Sequence, residues 1–368
     1  MSRSAFKFLV VFIGGSLLGV ASFTVWAAGR PSEVPRPVAL AATTTVPPTT
    51  TLSPVTTLPQ PTTTTTLPAT TTTLPPKGTL IIQGAGDVAL DPDYIPVFRT
   101  EGYDYAFSGL EGLFLEDDLT VVNLECTPSD LGQPLVKDFT FRCPTEALPA
   151  LINNGVEVAN MGNNHSGDFG KEALVDGRQQ LIAAGVAPVG AGKDGDEAGA
   201  PALFEMKGWT IAVLGFGGVA PDPSWYAHDH RPGMRDGDHT DQMVEAVEAA
   251  AQVADLVIVT IHWGFELETE PNPGDRERAE AMIAAGADII LGHHQHRLNP
   301  LEMIDGSAVF WGLGNFIWPQ NSIPSATTAV ARVVVHPDGT IEACMIPAFI
   351  KTHGRPVITG EAECGPGV

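Results

Sequence analysis

The sequence predicts an α/β fold for residues 78–368, in which either a mixed sheet or a two-sheet sandwich is flanked by helices. Three observations support this class. Short apolar runs typical of buried strands alternate with amphipathic stretches typical of helices. Glycines end the helical stretches, as in helix C-caps. Polar residues with ligand-type side chains follow several of the apolar runs.

The elements are predicted in chain order from these patterns. They are strands 79–83 and 119–122, helix 145–153, strand 156–159, helix 171–184, a hairpin of 203–206 and 210–214, an irregular loop 219–238, helix 241–253, strand 256–261, helix 276–285, strands 287–291 and 308–311, and a hairpin of 328–335 and 341–346. Ligands of such folds collect at the carboxyl ends of strands, so the residues after each strand are the first candidates for a site.

Residues 1–30 read as a signal peptide or a signal anchor. An almost unbroken apolar run, 8–28, follows Arg3 and Lys7. Its length suits a bilayer-spanning helix. Residues 25–27 form only a modest cleavage site, because bulky Trp26 lies inside it. We therefore expect a retained single span at the cell membrane with an extracytoplasmic globular domain, or a secreted protein if the signal is cleaved.

Residues 31–77 are dominated by threonine and proline. Proline removes backbone donors, and short polar side chains cannot build a core, so we expect a disordered linker between the membrane segment and the domain.

Net charge and cysteine content narrow the partners and the compartment. A formal charge of -23 argues against nucleic acid or an anionic membrane surface as partner. Outside the cytoplasm, four cysteines suggest two disulfides, and sequence proximity favours Cys126–Cys143 and Cys344–Cys364. A zinc site or free buried thiols are the alternatives.

Five predicted strands are followed by residues that can bind metals. These residues are Asp87 after the first strand, Asn123 and Glu125 after the second, Asn163, Asn164 and His165 after the third, His262 after the fourth, and His293, His294 and His296 after the fifth. Convergence of the strand ends would create an oxygen- and nitrogen-rich site for one or two divalent transition metals, Mn, Fe or Zn. In a two-metal centre a carboxylate can bridge the ions.

Several of these residues also have an ordinary structural explanation. Asp87 could cap a turn, asparagines tolerate left-handed turns, and the histidines could be hydrogen-bonded core residues. Asp168 either caps the helix that begins near Gly170 or orients His165.

Charged residues close to these strand ends are less specific. Glu266, Glu268 and Glu270 read as a solvated acidic loop. Arg142 and Arg297 are either anchors for an anionic substrate or plain surface charge.

Six sequence blocks together resemble one known family. The blocks are Gly86-Asp87-Val88, Asn123-Leu124-Glu125, Asn163-Asn164-His165 with Asp168-Phe169-Gly170, His262-Trp263-Gly264, Gly292-His293-His294-Gln295-His296 and Leu313-Gly314-Asn315-Phe316. Over residues 79–350 they resemble the CapA family of bacterial poly-γ-glutamate capsule synthesis proteins, which looks like a branch of the calcineurin-like metallophosphoesterases. The resemblance implies a four-layer α/β/β/α sandwich with a metal site at its strand ends.

The resemblance also implies roles for individual residues. The implied metal ligands are Asp87, Glu125 as the bridging carboxylate, Asn164, His262, His294 and His296, with the last two serving one metal each. His165 is implied as general acid, and we group Asp168 with it. Asn123, Asn163, His293 and Asn315 are expected to support the ligands or to contact substrate. One departure is Ala89, which stands where the superfamily has a histidine.

The resemblance implies a membrane-tethered metallohydrolase that acts in making, anchoring or trimming a cell-surface polymer such as poly-γ-glutamate, with capsule-synthase subunits as further partners. The alternative is an accessory subunit without turnover that binds polymer or a synthase. A surface phosphatase unconnected with capsule is the third possibility.

Overall fold

The structure is a computed structural model that describes residues 76–365. The predicted membrane segment, residues 1–30, and nearly all of the predicted linker, 31–77, lie outside the described residues. Within the described part, no helix has both the length and the apolar character that a membrane crossing requires.

Residues 76–365 form strands, α-helices and short 3₁₀ turns. The strands are β1 Leu80–Val88, β2 Leu119–Leu124, β3 Val158–Asn160, β4 Ala187–Val189, β5 Ala191–Gly192, β6 Ala202–Met206, β7 Trp209–Gly217, β8 Gly233–Met234, β9 Leu256–His262, β10 Ile289–His293, β11 Leu301–Ile304, β12 Ser307–Phe310, β13 Asn315–Ile317, β14 Thr327–Val335, β15 Ile341–Thr352 and β16 Arg355–Ile358. The helices are α1 Phe98–Glu101, α2 Pro149–Asn153, α3 Lys171–Ala184, α4 Gly195–Gly199, α5 Thr240–Ala251, α6 Pro273–Ala284 and α7 Ile323–Ala326.

Two large sheets carry most of these strands. The first has the order β16-β15-β14-β1-β2-β3-β4, with β13 also paired to β1, and the second has the order β11-β12-β10-β9-β7-β6. Strands β1 to β4 run parallel, as do β7, β9, β10 and β12. Of the two architectures left open by the sequence, the two-sheet sandwich is the one observed.

The two sheets face each other across a shared apolar core. Leu80 and Val121 of the first sheet pack in one cluster with Ile211, Ile258 and Leu291 of the second. Side chains alternate between the two faces of a strand, so every second residue of these strands points into this layer. The strands are buried on both faces, and their sequences are therefore continuous apolar runs.

Helices cover the outer face of each sheet. Leu174 of α3 clusters with Val122 on the first sheet. Val247 of α5 and Met282 of α6 cluster with Val259 on the second. The layers therefore run helix, sheet, sheet, helix, the order that the resemblance implies.

Most predicted elements are confirmed, with shifted ends. Helix 171–184 and the two hairpins are observed. Strands β1, β2, β9 and β10 extend beyond their predicted ends, so Asp87, Asn123, His262 and His293 lie inside strands instead of after them. The predicted helix 145–153 is a 3₁₀ turn followed by α2, because Pro149 lacks the N–H that a continuous helix would need and suits a first turn.

Both predicted disulfides are confirmed. Cys126 pairs with Cys143 at a Cα–Cα distance of 5.6 Å, and Cys344 pairs with Cys364 at 4.6 Å. The zinc and free-thiol alternatives are thereby excluded.

Candidate metal centre

Polar side chains of both sheets point into the layer between the sheets and meet there. Asn123 is two residues beyond Val121 on β2, and His262 is two beyond Thr260 on β9, so both point into the layer between the sheets. Asn123 Nδ2 donates to Asp87 Oδ1 at 2.8 Å and lies 3.1 Å from His262 Nδ1. The site is thus the polar end of the inter-sheet core.

A bulge at Gly86 turns Asp87 into the same layer. The pairing of β1 with β2 shifts register between Ala85 and Asp87, which places one extra residue in β1. A Cβ at Gly86 would overlap the carbonyl oxygen of Gly314, so only glycine fits. The Asp87 N–H donates to that same carbonyl at 2.9 Å. Gly86 therefore directs the carboxylate of Asp87 towards the second sheet.

Glu125 Oε1 is the centre of the cluster. It lies 3.7 Å from His262 Nε2, 3.8 Å from His296 Nε2 and 3.9 Å from His165 Nε2. Glu125 is fully buried, yet this oxygen has no hydrogen-bond partner among the described residues. A buried carboxylate oxygen facing three imidazoles without a hydrogen bond is unfavourable unless a cation binds it.

The cluster divides into two sets of potential ligands that share Glu125. One set is Glu125, His262 and His294, and the other is Asp87, Glu125 and His296, with the ligand atoms of each set within 4.8 Å of one another. Asn164 Oδ1 lies 2.8 Å from His262 Nε2 and so adjoins the first set. His294 Nδ1 is also buried without a hydrogen-bond partner among the described residues, whereas Asp87 Oδ2 lies 3.0 Å from His296 Nδ1. The donor types fit two divalent transition metals with Glu125 between them.

Burial sets the protonation of these groups when no ion is bound. It raises the pKa of Glu125 well above its ordinary value, and the negative charge of Asp87 adds to that rise. It lowers the pKa of His262, with the neighbouring His294 adding to the effect, and lowers the pKa of His294 to about 4. These two imidazoles are therefore neutral at pH 7, the form that binds metals, and a cation would restore the carboxylate of Glu125. Burial would lower the pKa of His296 as well, but the hydrogen bond and the negative charge of Asp87 outweigh burial and raise it.

The backbone of the histidine loop has an unusual conformation. His294 and His296 have φ angles of 99° and 52°, in the left-handed region that non-glycine residues rarely adopt. Their ring centroids are 6.1 Å apart. Strained backbone of this kind concentrates at functional sites, and here it directs two nearby histidines to different ligand sets.

His165 and Asp168 form a dyad beside the two ligand sets. His165 Nδ1 lies 2.6 Å from Asp168 Oδ2, which leaves Nε2 facing Glu125. The Asp168 carboxylate is fully buried and makes no cap to α3, whose N-cap is Gly170 without a side-chain hydrogen bond. Of the two predicted roles for Asp168, the geometry therefore supports orientation of His165.

Lys137 contacts the Asp168 member of this dyad, and the sequence did not predict it as a site residue. Its Nζ donates to Asp168 Oδ1 and, at 2.6 Å, to the backbone carbonyl of Asn164. The Phe141 N–H donates to Asp168 Oδ2 at 2.8 Å. Both come from the irregular segment between β2 and α2, where no periodicity or motif spacing marks a residue as part of a site.

The remaining predicted residues contact the segments that carry the candidate ligands. Asn163 Nδ2 donates to the Leu124 carbonyl at 2.9 Å, and Asn163 Oδ1 accepts from the His165 N–H at 3.1 Å. His293 Nε2 lies 3.0 Å from Thr260 Oγ1. These contacts fix the loops that carry the ligands.

Asn315 supports a ligand in the same way. Its Oδ1 lies 2.8 Å from His296 Nδ1, and its Nδ2 donates to the backbone carbonyl and the hydroxyl of Ser325 at 3.0 Å each. The orientation of the His296 ring is thereby set by β13 and α7.

Of the two predicted roles for Arg142, the geometry does not favour that of a substrate anchor. Its guanidinium donates to the Ser129 and Leu131 carbonyls at 2.6 and 2.9 Å and lies over the Phe169 ring at 3.7 Å. Arg297 donates to the carbonyl of the adjacent His296 at 2.7 Å. The Arg142 guanidinium, which backbone carbonyls occupy, is therefore not free to bind an anion.

The fold and the cluster define a protein with a candidate two-metal centre at the strand ends of a two-sheet sandwich. Residues 82–320 match the family model described as bacterial capsule synthesis protein PGA_cap. The chain belongs to this family.

Named relatives and one solved structure are similar to the chain. "PGA biosynthesis protein CapA" of Bacillus subtilis is 30% identical over 258 residues, which cover 69% of this chain and 67% of that protein. A "Probable polyglutamine synthesis accessory protein" of Mycobacterium tuberculosis is 32% identical over 212 residues, 54% of this chain and 55% of that one. The crystal structure of a phosphatase from Mycoplasma pneumoniae has 15% identity and a TM-score of 0.43 over 74% of this chain and 94% of that one.

Proposed function

We propose that the protein is a membrane-tethered, extracytoplasmic metal-dependent hydrolase that acts in synthesis, anchoring or trimming of a poly-γ-glutamate-like surface polymer. The family and the names of its relatives support the connection with capsule polymer. The apolar run 8–28 supports the tether. The observation that best supports hydrolase activity is that two ligand sets share Glu125 and lie beside the His165–Asp168 dyad.

Bound Mn, Fe or Zn ions would act as Lewis acids on a phosphoryl or carbonyl oxygen and would activate water. Asp87, Glu125, Asn164, His262, His294 and His296 would hold them.

His165 is the residue that would accept and donate protons. Asp168 accepts from Nδ1, so Nε2 is the nitrogen that faces the cluster. Burial lowers the pKa of His165 against the raising effect of Asp168, so the neutral ring can accept a proton and pass it to a leaving group. Phe141 packs on the ring at 4.5 Å between centroids and limits access of water to it.

Metal content of the full-length protein tests this proposal. Protein purified without chelators should hold two equivalents of metal by inductively coupled plasma mass spectrometry. His294→Asn and His296→Asn should each lose one, and Glu125→Gln should lose both. His336→Asn, a partly exposed histidine paired with Glu342, is the matched control and should lose none. Hydrolysis of aryl phosphodiesters and γ-glutamyl anilides with added Mn, Fe or Zn then identifies the bond class. A protein without stoichiometric metal would refute the hydrolase.

A non-catalytic accessory subunit is the second candidate, and Ala89 favours it. This residue is 1% exposed, and its N–H donates to the Ile317 carbonyl at 2.9 Å. The ligand set around Asp87 therefore lacks the histidine that the superfamily has there. Complementation of a polymer-negative strain separates the candidates, since full rescue by both His165→Ala and His294→Ala would favour the accessory role.

A further inference from the structure

A cavity of about 510 Å³ opens beside the metal centre. His165 and His296 form part of its wall, so a ligand in the cavity would lie against the dyad and one ligand set. The cavity contains none of the other metal-ligand candidates. It therefore faces the part of a substrate that adjoins the reacting bond.

Aromatic side chains build one side of this cavity. Phe141 packs edge-on against Tyr94 at 4.7 Å and against Trp318 at 5.0 Å, and it stacks with Phe139 at 6.4 Å between centroids. Phe141 and Trp318 are buried and Tyr94 is half-buried, whereas Phe139 is 59% exposed at the rim. Contiguous aromatic faces favour an apolar stem or a cationic group.

The charges around the cavity favour a cation over an anion. Of the residues in 76–365 that line it, none is a lysine or arginine. Its carboxylates belong to Asp93 and Glu266, and Asp93 is ion-paired with Arg99. Glu266 is exposed and makes no ion pair within the described residues, so its charge is available to a ligand. Besides Glu266 and Asp93, a ligand in the cavity would meet the imidazoles of His165, His296 and His353.

We propose that this cavity binds a primary ammonium group on an apolar stem, with the aromatic wall around the stem and Glu266 paired with the charge. The carboxylates of a poly-γ-glutamate-like chain would then lie outside the cavity, and the substrate would present an amine next to the reacting bond. The inference rests on the proposed function only in treating this group as part of a substrate, because binding itself requires no turnover.

Binding of three probes of equal length tests the inference. Butylammonium, butanol and butyrate are titrated into the full-length protein, and saturation-transfer NMR gives the three dissociation constants, with detergent alone as baseline. We expect butylammonium to bind most tightly. Glu266→Gln and Phe139→Ala should each weaken its binding about threefold to fivefold, the range of an exposed ion pair or cation–π contact. Both residues are exposed, so both variants should fold.

Glu270→Gln is the matched control, since it removes the same charge from the same loop outside the cavity wall. It should leave butylammonium binding unchanged. Tighter or equal binding of butyrate, equal binding of butanol, or an unchanged constant for Glu266→Gln would overturn the inference. Metal content measured on the same samples keeps the outcomes separate. If the protein binds the amine but holds no metal, the proposed hydrolase activity is refuted and the cavity assignment stands. If the protein holds metal but does not prefer the amine, the cavity assignment is refuted and the hydrolase proposal stands.

Discussion

Replacement of Lys137 by methionine tests whether this residue holds the His165–Asp168 dyad in place. The lysine Nζ makes two hydrogen bonds, to Asp168 Oδ1 and to the Asn164 carbonyl, and its side chain is 19% exposed. The Asp168 carboxylate is fully buried and keeps two donors in the variant, His165 Nδ1 and the Phe141 N–H. Methionine retains the length of the stem while removing the charge.

The magnitude follows from these contacts. A hydrogen bond to a charged group contributes about 1.5–3 kcal/mol, and loss of one partner of a buried pair costs about 3–5 kcal/mol. Asp168 is not left alone, and Lys137 is partly solvated, so we expect the free energy of unfolding to fall by about 2 kcal/mol. Lys193→Met is the control, because that side chain is 59% exposed and its ion pairs are solvated, so little change is expected.

Urea denaturation of the full-length proteins measures both changes, provided that the m-value stays constant. In an Asp168→Asn background the effect of Lys137→Met should shrink by at least about 1 kcal/mol if the two side chains interact. The pKa of His165, which burial and the nearby charge of Lys137 both lower, should rise in Lys137→Met and stay unchanged in Lys193→Met when the ring is titrated by NMR. Equal stabilities of the two lysine variants, together with an unchanged pKa of His165, would refute the positioning role.

Three further changes test other parts of the fold. Asp117→Asn should raise the thermal midpoint more at pH 8 than at pH 5. Burial raises the pKa of Asp117 from 3.8 to about 7, so between these two pH values the native state binds more protons than the unfolded chain. Stability therefore falls as pH rises through this range, by about 1 kcal/mol after discounting for solvent screening. Removal of the Cys126–Cys143 bridge by alanine at both positions should lower the unfolding free energy by about 3 kcal/mol in denaturant titrations. Gly86→Ala should give no folded, metal-loaded protein by circular dichroism and metal analysis, because its Cβ would overlap the carbonyl oxygen of Gly314.

The sequence predicts the strand and helix order well because burial on both faces leaves a continuous apolar signature. Helix 171–184 is predicted to the residue, since Gly185 with φ of 90° ends it in the left-handed conformation that glycine favours. Short strands such as β4 Ala187–Val189 are missed because three residues, one of them Pro188, carry no periodic pattern.

The sequence predicts those residues of the candidate site that lie at or directly after the ends of strands. The sequence places ligand-type residues at five strand ends, and the structure brings these together. Lys137 and Phe141 could not be predicted, because their contacts with Asp168 depend on how an irregular loop folds back over 27 to 31 residues of chain. For Arg142 the sequence leaves two roles open, because it shows a charge but not that backbone carbonyls accept hydrogen bonds from the guanidinium.

The alternation of side chains along the strands also links the candidate metal centre to the rest of the protein. Asp87 and His262, candidate ligands from opposite sheets, lie near the ends of the strands whose residues Leu80 and Ile258 help to fill the layer between the sheets with apolar side chains. Facing sheets lie about 10 Å apart, a distance set by the side chains between them. A smaller or larger residue deep in this layer would change the sheet separation and with it the distance between ligands from opposite sheets. Metal affinity should therefore respond to core substitutions that touch no ligand, and mutations selected for stability in this layer would alter metal binding as well.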